Sequence, residues 1–247
     1  MSKLNIDQKT IFELFSDKKA DFLIPDYQRP YAWEYSECQT LWEDIFNFAF
    51  PDNDYSKFDS DSDEYFLGPI VTFVNDDKKM EVIDGQQRLT TLMLLLRAFY
   101  EKFGMMQDEN SKKTRENLEK CIWKTDEFGT PDKTRLKIDS EVATDNDKEQ
   151  FLNILKSGIA SDNMKSNYAN NYRFFQNQIN DLSGKGKSEA EKVNIIVAAV
   201  GINEDGSYKI ISGNYVGDAA SIADAISKLD AAINTVGGSS VKEAKEY

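Results

Sequence analysis

Val82-Ile83-Asp84-Gly85-Gln86-Gln87-Arg88-Leu89-Thr90-Thr91-Leu92 decides the fold of this chain. A short apolar strand, Met80 to Ile83, runs into Asp-Gly, and an apolar helix starts at once with Leu89, Leu92, Met93, Leu95, Leu96 and Phe99. Gly85 supplies a turn where a side chain would clash. The first helical turn presents backbone N–H groups that lack intrahelical acceptors, beside two glutamines and an arginine. Such a helix start favours an anion, through its free donors and its dipole. Asp84, at the carboxyl end of the strand, is placed to hold a metal ion or orient a water. The same residues also make an ordinary Asp-Gly turn with a solvated first turn, and residue chemistry alone leaves both readings open.

A second stretch adds weight to the first reading. Ile24-Pro25-Asp26-Tyr27-Gln28-Arg29-Pro30-Tyr31-Ala32-Trp33 carries another Gln-Arg pair, set among aromatics and stiffened by two prolines. Between the two lies Tyr65-Phe66-Leu67-Gly68-Pro69-Ile70-Val71. Together, I-P-x-Y-Q-R-x-Y-x-W, F-L-G-x-I-V and D-G-Q-Q-R-L-T-T-L resemble the N-terminal domain of GmrS/GmrD-type modification-dependent restriction proteins, over residues 5–180. The resemblance implies an α+β fold of the ParB/sulfiredoxin-like kind: a small mixed sheet with several packed helices. It also implies a nucleotide-hydrolysing sensor in defence against foreign DNA. Its relatives usually carry a His-dependent nuclease domain downstream.

On that reading Asp84, Arg88 and Gln87 are the candidate catalytic residues. Gly85, Gln86, Gln28, Arg29 and Thr90 would hold a nucleoside triphosphate, with Mg2+ on Asp84. Phosphoryl transfer needs positioning and positive charge above all, so Asp, Arg, Gln and a metal suffice. The alternative is a non-catalytic DNA- or protein-binding regulatory module, in which Tyr27, Tyr31 and Trp33 stack on a base or cover an apolar modification. Those three aromatics also suit plain core packing under the prolines.

Composition narrows the classes. The 247 residues are 40% apolar and 12% aromatic, a globular composition. Histidine is absent, which excludes Ser-His-Asp and Cys-His catalysis, His-ligated zinc and His-based nuclease motifs from this chain. Any cleavage must come from a nuclease domain or subunit supplied elsewhere. Cys38 and Cys121 are too few for a disulfide framework, which suits a cytoplasmic protein. No segment reads as a signal peptide or membrane span. The net charge of −13 repels nucleic acid overall. The best local basic patch is 111–137, where Lys112, Lys113, Arg115, Lys120, Lys124, Lys133, Arg135 and Lys137 face five acids.

Element by element, Asp7 is expected to cap a helix carrying Ile11, Phe12, Leu14 and Phe15, and residues 21–24 form a strand. A capping box at Ser36 and Gln39 opens a helix to Phe50. Residues 52–64 form an acidic loop without the central glycine or final glutamate of a calcium loop. A hairpin joins 65–74 to 79–83. The long helix runs from Gln86 to Phe103 with Gly104 as its C-cap, and a charged helix covers 112–124. Leu136 and Ile138 alternate with charges in an edge strand over 134–142, and helices follow at 145–156 and 166–182. The last of these contains Asn171-Tyr172-Arg173-Phe174-Phe175, similar to the family's closing helix.

The first domain is thus expected to span 1–183. Gly-Lys-Ser at 186–188 lacks the first glycine and the preceding strand of a phosphate-binding loop, so 184–193 reads as a linker. The tail, 194–247, reads as a hairpin (194–200 with 208–211) and an amphipathic helix. That helix carries Ile222, Ile226, Leu229, Ile233 and Val236, packed on its own hairpin or serving self-association through 218–236. It lacks the Asn-x-Arg-Gly segment toward which relatives continue. Either the family domain stops and another element follows, or the tail has diverged.

Overall fold

A computed structural model of the chain describes residues 6–54, 65–182 and 189–202. The fold is α+β. Thr10 caps α1 (Ile11–Ser16), its hydroxyl accepting from Glu13 N–H while Glu13 accepts from Thr10 N–H. The Thr-x-x-Glu box outcompetes Asp7, which lies too far upstream to reach the first turn. After β1 (Phe22–Ile24) and the proline-bearing loop comes α2 (Tyr35–Ala49). Its start is held by Glu37 accepting from Glu34 N–H at 2.9 Å. The expected Ser36–Gln39 box is therefore displaced by two residues, because Ser36 already lies inside the helix.

The hairpin consists of β2 (Val71–Val74) and β3 (Met80–Asp84), turned by Asn75–Lys78. Residues 65–70 are irregular, not strand. α3 (Gln86–Gly104) is buried nearly all round, as expected of a helix apolar on every face. Gly104 is its last residue, and Met105 is the C-cap. α4 (Glu109–Ile122) is capped by Asp108. The edge strand expected over 134–142 divides in two. β5 (Pro131–Leu136) pairs antiparallel with β4 (Trp123–Thr125), and β6 (Ile138–Ser140) pairs parallel with β1. Lys137 is the hinge between them, fully buried with its ammonium on the Asp17 carbonyl. α5 (Lys148–Ser157) and α6 (Asn167–Asp181) follow, with α3 packed chiefly against α4 and α6.

The main sheet has the order β2-β3-β1-β6. β3, β1 and β6 run parallel, and β2 is an antiparallel edge. The carboxyl ends of the three parallel strands therefore lie at one end of the sheet. Ligands of parallel sheets bind at that end, where the loops can form a crevice.

The largest departure from the sequence reading is α7 (Glu189–Ala199). Residues 194–199 are helical and Val200 lies in the turn that follows, where a strand over 194–200 was expected. Val193, Ile196, Val197, Val200 and Ile202 are buried, and the helix packs on α2 and α4. Thr114 Oγ1 donates to Asn194 Oδ1 at 3.0 Å. The expected boundary at 193/194 thus falls inside a core helix. The acidic stretch from 55 to 64, Gly-Lys-Ser at 186–188, the 208–211 strand and the 218–236 helix lie outside the described residues. No helix among the described residues is long and apolar enough to cross a membrane.

Burial also sets an alkaline limit on stability. Desolvation raises the Cys38 and Cys121 thiols from the usual 9.0 to about 12, and pushes Tyr31, Tyr168 and Tyr172 upward as well. Well below pH 9 these thiols are neutral in both states and contribute no slope. Between pH 9 and 12 the unfolded chain releases protons that the folded one retains, so stability falls as pH rises. Thermal melts should be flat near pH 7, begin to fall as pH approaches 9 and drop steadily above it.

Candidate functional site

β3 ends at the exposed Asp84, and Gly85 turns the chain with φ 87° before α3 begins. Its carbonyl accepts the first helical bond from Leu89 N–H at 2.9 Å. The N–H groups of Gln86, Gln87 and Arg88 have no side-chain acceptor among the described residues. A Cβ on Gly85 would meet the Pro69 carbonyl at 3.0 Å and Ile70 Cα at 3.2 Å. Both the left-handed backbone and this close approach demand glycine.

The F-L-G-x-I-V segment is what presses on the turn, and it also fixes Arg88. The Arg88 guanidinium lies flat against Gly68, where a Cβ would sit 2.7 Å from Cζ. Its Nη1 donates to the Pro69 carbonyl at 2.8 Å. Arg88 is thereby pre-oriented, with its other N–H groups left to meet an acceptor. Tyr65, at the start of the same segment, donates its hydroxyl to Asp44 of α2 at 2.8 Å. Burial and then the Asp44 carboxylate raise the Tyr65 phenol to about 12, with Arg88 opposing.

The aromatic loop is tied to the same turn by side-chain amides. Gln28 Nε2 donates to the carbonyls of Val82 (3.2 Å) and Ile83 (3.0 Å). Gln87 Oε1 accepts from Ala32 N–H at 2.7 Å and Trp33 N–H at 3.3 Å, while Nε2 donates to Pro30 O at 3.1 Å. Tyr31 stacks on Tyr168, ring centroids 4.7 Å apart, and shares a hydrogen bond with Thr91 at 2.7 Å. Asn171 of α6 donates to Tyr31 Oη (2.9 Å) and to Trp33 O (2.8 Å). The two Gln-Arg pairs thus lie at one place, although 58 positions separate Arg29 from Gln87 (87 − 29).

These contacts sort the candidates. Asp84, Arg29 and Tyr27 are exposed and Arg88 is half-buried, so all four are open to a ligand. Gln87, expected to be catalytic, is only 7% exposed, and both ends of its carboxamide are engaged by the loop. Its amide ties the aromatic loop to the first turn of α3. Gln28 plays the same part at the strand end. Thr90 and Gln86 are buried, so of that first turn only backbone N–H groups and Arg88 remain open to a ligand. Tyr31, expected to stack on a base, stacks on Tyr168, and Trp33 is half-buried against the core. Tyr27, 64% exposed, is the aromatic of the three left for a base. The sequence reading missed Asn171, Asp44 and Tyr65 as parts of the site. Asn171 had a signal, as the one amide on the buried face of Asn-Tyr-Arg-Phe-Phe.

Removing the Gln87 amide should cost structure, not chemistry. Gln87→Leu keeps the volume but leaves Ala32 N–H and Pro30 O without partners, a loss of about 1–3 kcal/mol. A denaturant melt reads that loss directly.

No group of three or more His, Cys, Asp or Glu residues among the described residues makes a protein cage for a metal. Asp84 offers a single open carboxylate beside the uncapped N-terminus of α3. That suits Mg2+ carried by phosphate oxygens, the usual way this ion binds.

Residues 11–215 match the family described as the N-terminal domain of the GmrSD restriction endonuclease. No curated protein matches the chain.

Proposed function

The chain belongs to the GmrSD N-terminal-domain family and so is a restriction-system component, and from that premise we propose that it binds and hydrolyses a nucleoside triphosphate as the sensor of that system. One observation supports this above the rest. Three sequence-distant motifs converge on a glycine turn at the carboxyl end of a parallel strand, with an arginine pre-oriented there by the Gly68–Pro69 backbone.

In this reading the α3 N–H groups and Arg88 hold the terminal phosphates, and Arg29 approaches from the loop above. Charge developing on the phosphoryl oxygens meets donors already in place, which is where most of the rate comes from in such reactions. Asp84 would orient the attacking water or hold Mg2+, which when bound would neutralise phosphate charge. Cleavage of DNA belongs to a domain or subunit beyond these residues.

The test is hydrolysis of the four ribonucleoside triphosphates with Mg2+, together with nucleotide titration. Arg88→Ala removes a charge-assisted phosphate contact and should weaken binding by roughly 1.5–3 kcal/mol. Equal binding by wild type and variant would end the reading. A second reading, a non-catalytic DNA- or protein-binding module, draws on the exposed Val71, Phe73 and Ile83 of the hairpin and on Tyr27 nearby. It takes over if the wild type neither binds nor turns over any nucleotide.

A further inference from the structure

We propose that a second cleft, between the aromatic loop and the start of α6, receives the base and ribose of the nucleotide. This rests on the reading that the phosphates sit at the α3 turn. The cleft is lined by Pro30, Tyr31, Asn146, Lys165, Asn167 and Tyr168, among others, and has a volume of about 270 Å³. Small-molecule sites run from about 300 to 1,000 Å³. The cleft therefore suits a fragment such as a nucleoside and not a whole triphosphate.

Its place in the fold supports the assignment. The loops that follow β1 and β6 form two of its walls, so it opens at the same end of the sheet as Asp84 and Gly85. Pro30 joins the two regions: it lines the cleft, and its carbonyl accepts from Gln87 of the first α3 turn. Arg29 is exposed and precedes Pro30 in the chain.

Its chemistry is that of a base reader. The floor is rigid, because Tyr31, Tyr168 and Phe151 form a continuous stack with centroids 4.7 and 5.0 Å apart. Tyr168 is fixed further by donating to Asp145 Oδ2 at 2.5 Å. Asp145 also accepts from Asp147 N–H, so that carboxylate is already engaged. Asn146 and Asn167 make no side-chain hydrogen bond among the described residues. Each presents a donor and an acceptor side by side, the pattern that pairs with the edge of a nucleobase. With Asp145 and Asp147 beside Lys165 on its lining, the cleft carries no positive excess, which suits a neutral base and ribose and not the phosphates.

The experiment titrates the four ribonucleoside triphosphates and inorganic tripolyphosphate, all with Mg2+, against wild type, Asn146→Ala, Asn167→Ala and Arg88→Ala, with a thermal melt of each. The wild type should prefer one or two bases by about tenfold, a single good contact's worth. Both Asn variants should lose about tenfold in nucleotide affinity and discriminate less among bases, yet bind tripolyphosphate as the wild type does. Asn variants that bind every nucleotide normally, while Arg88→Ala weakens nucleotide and tripolyphosphate alike, would overturn the cleft and leave the phosphate reading standing. Asn variants that weaken tripolyphosphate equally, or that melt lower, would show a structural role and also overturn it. Wild type that binds neither nucleotide nor tripolyphosphate would remove both readings.

Discussion

Asp84→Asn should lower nucleotide turnover by about two orders of magnitude or more while nucleotide still binds. The substitution keeps shape and volume and removes only the charge that would orient water or hold Mg2+. Asp84 is exposed at the strand end and its carboxylate makes no hydrogen bond among the described residues, so the melting temperature should hardly move. A plain turn role predicts the opposite pairing: a lower melt, and no turnover to lose in the wild type. Single-turnover hydrolysis measured beside a thermal melt separates the two.

The other large effect concerns α7. A chain ending at Ser188 loses Val193, Ile196, Val197, Val200 and Ile202 from the core. At roughly 1.5–3 kcal/mol for each fully buried aliphatic side chain, the loss is about 7 kcal/mol or more. That rivals the whole stability of an ordinary domain, about 5–15 kcal/mol. Such a chain should lose its cooperative melt or fail to stay soluble. Val197→Asp in the full-length chain places an unpaired charge in the same contact and should act in the same direction, which separates α7 from whatever follows it. An unchanged cooperative transition in both would mean that α7 adds little to the fold.

Much of the candidate site's geometry was legible because its motifs state where the chain turns. Asp-Gly before an apolar run places a turn at Gly85, and the Gln-Arg pairs point to a shared purpose. The roles within the motifs were harder to read. A glutamine at a helix start looks alike whether it faces a ligand or a loop, and only the 2.7 Å bond to Ala32 N–H decides for Gln87. Tyr31 and Trp33 looked available because their burial depends on α6, more than 130 residues away. In the fold, periodicity located the helices well. It failed at 194–200, where Asn-Ile-Ile-Val-Ala-Ala-Val is short, apolar and β-branched, so a strand and a buried helix look the same. Packing on α2 and α4 resolves that segment as helix. The split at Lys137 was hidden for a related reason: a buried lysine on a carbonyl has no signature in an alternating pattern.

The bond from Asn171 to Tyr31 spans 140 positions of sequence, and that span bears on when the site comes into being. Closing so long a loop carries an entropy penalty that grows with the logarithm of its length, and contacts of this kind slow folding. The aromatic loop is held by Gln87 from one side and by Asn171 from the other, so half of its restraint arrives only once α6 has been made and has docked. A nascent chain that already displays all three motifs would still lack a finished site. On the proposed reading, nucleotide turnover would then be among the last properties the molecule acquires as it folds, and an incomplete copy would be idle instead of wastefully active.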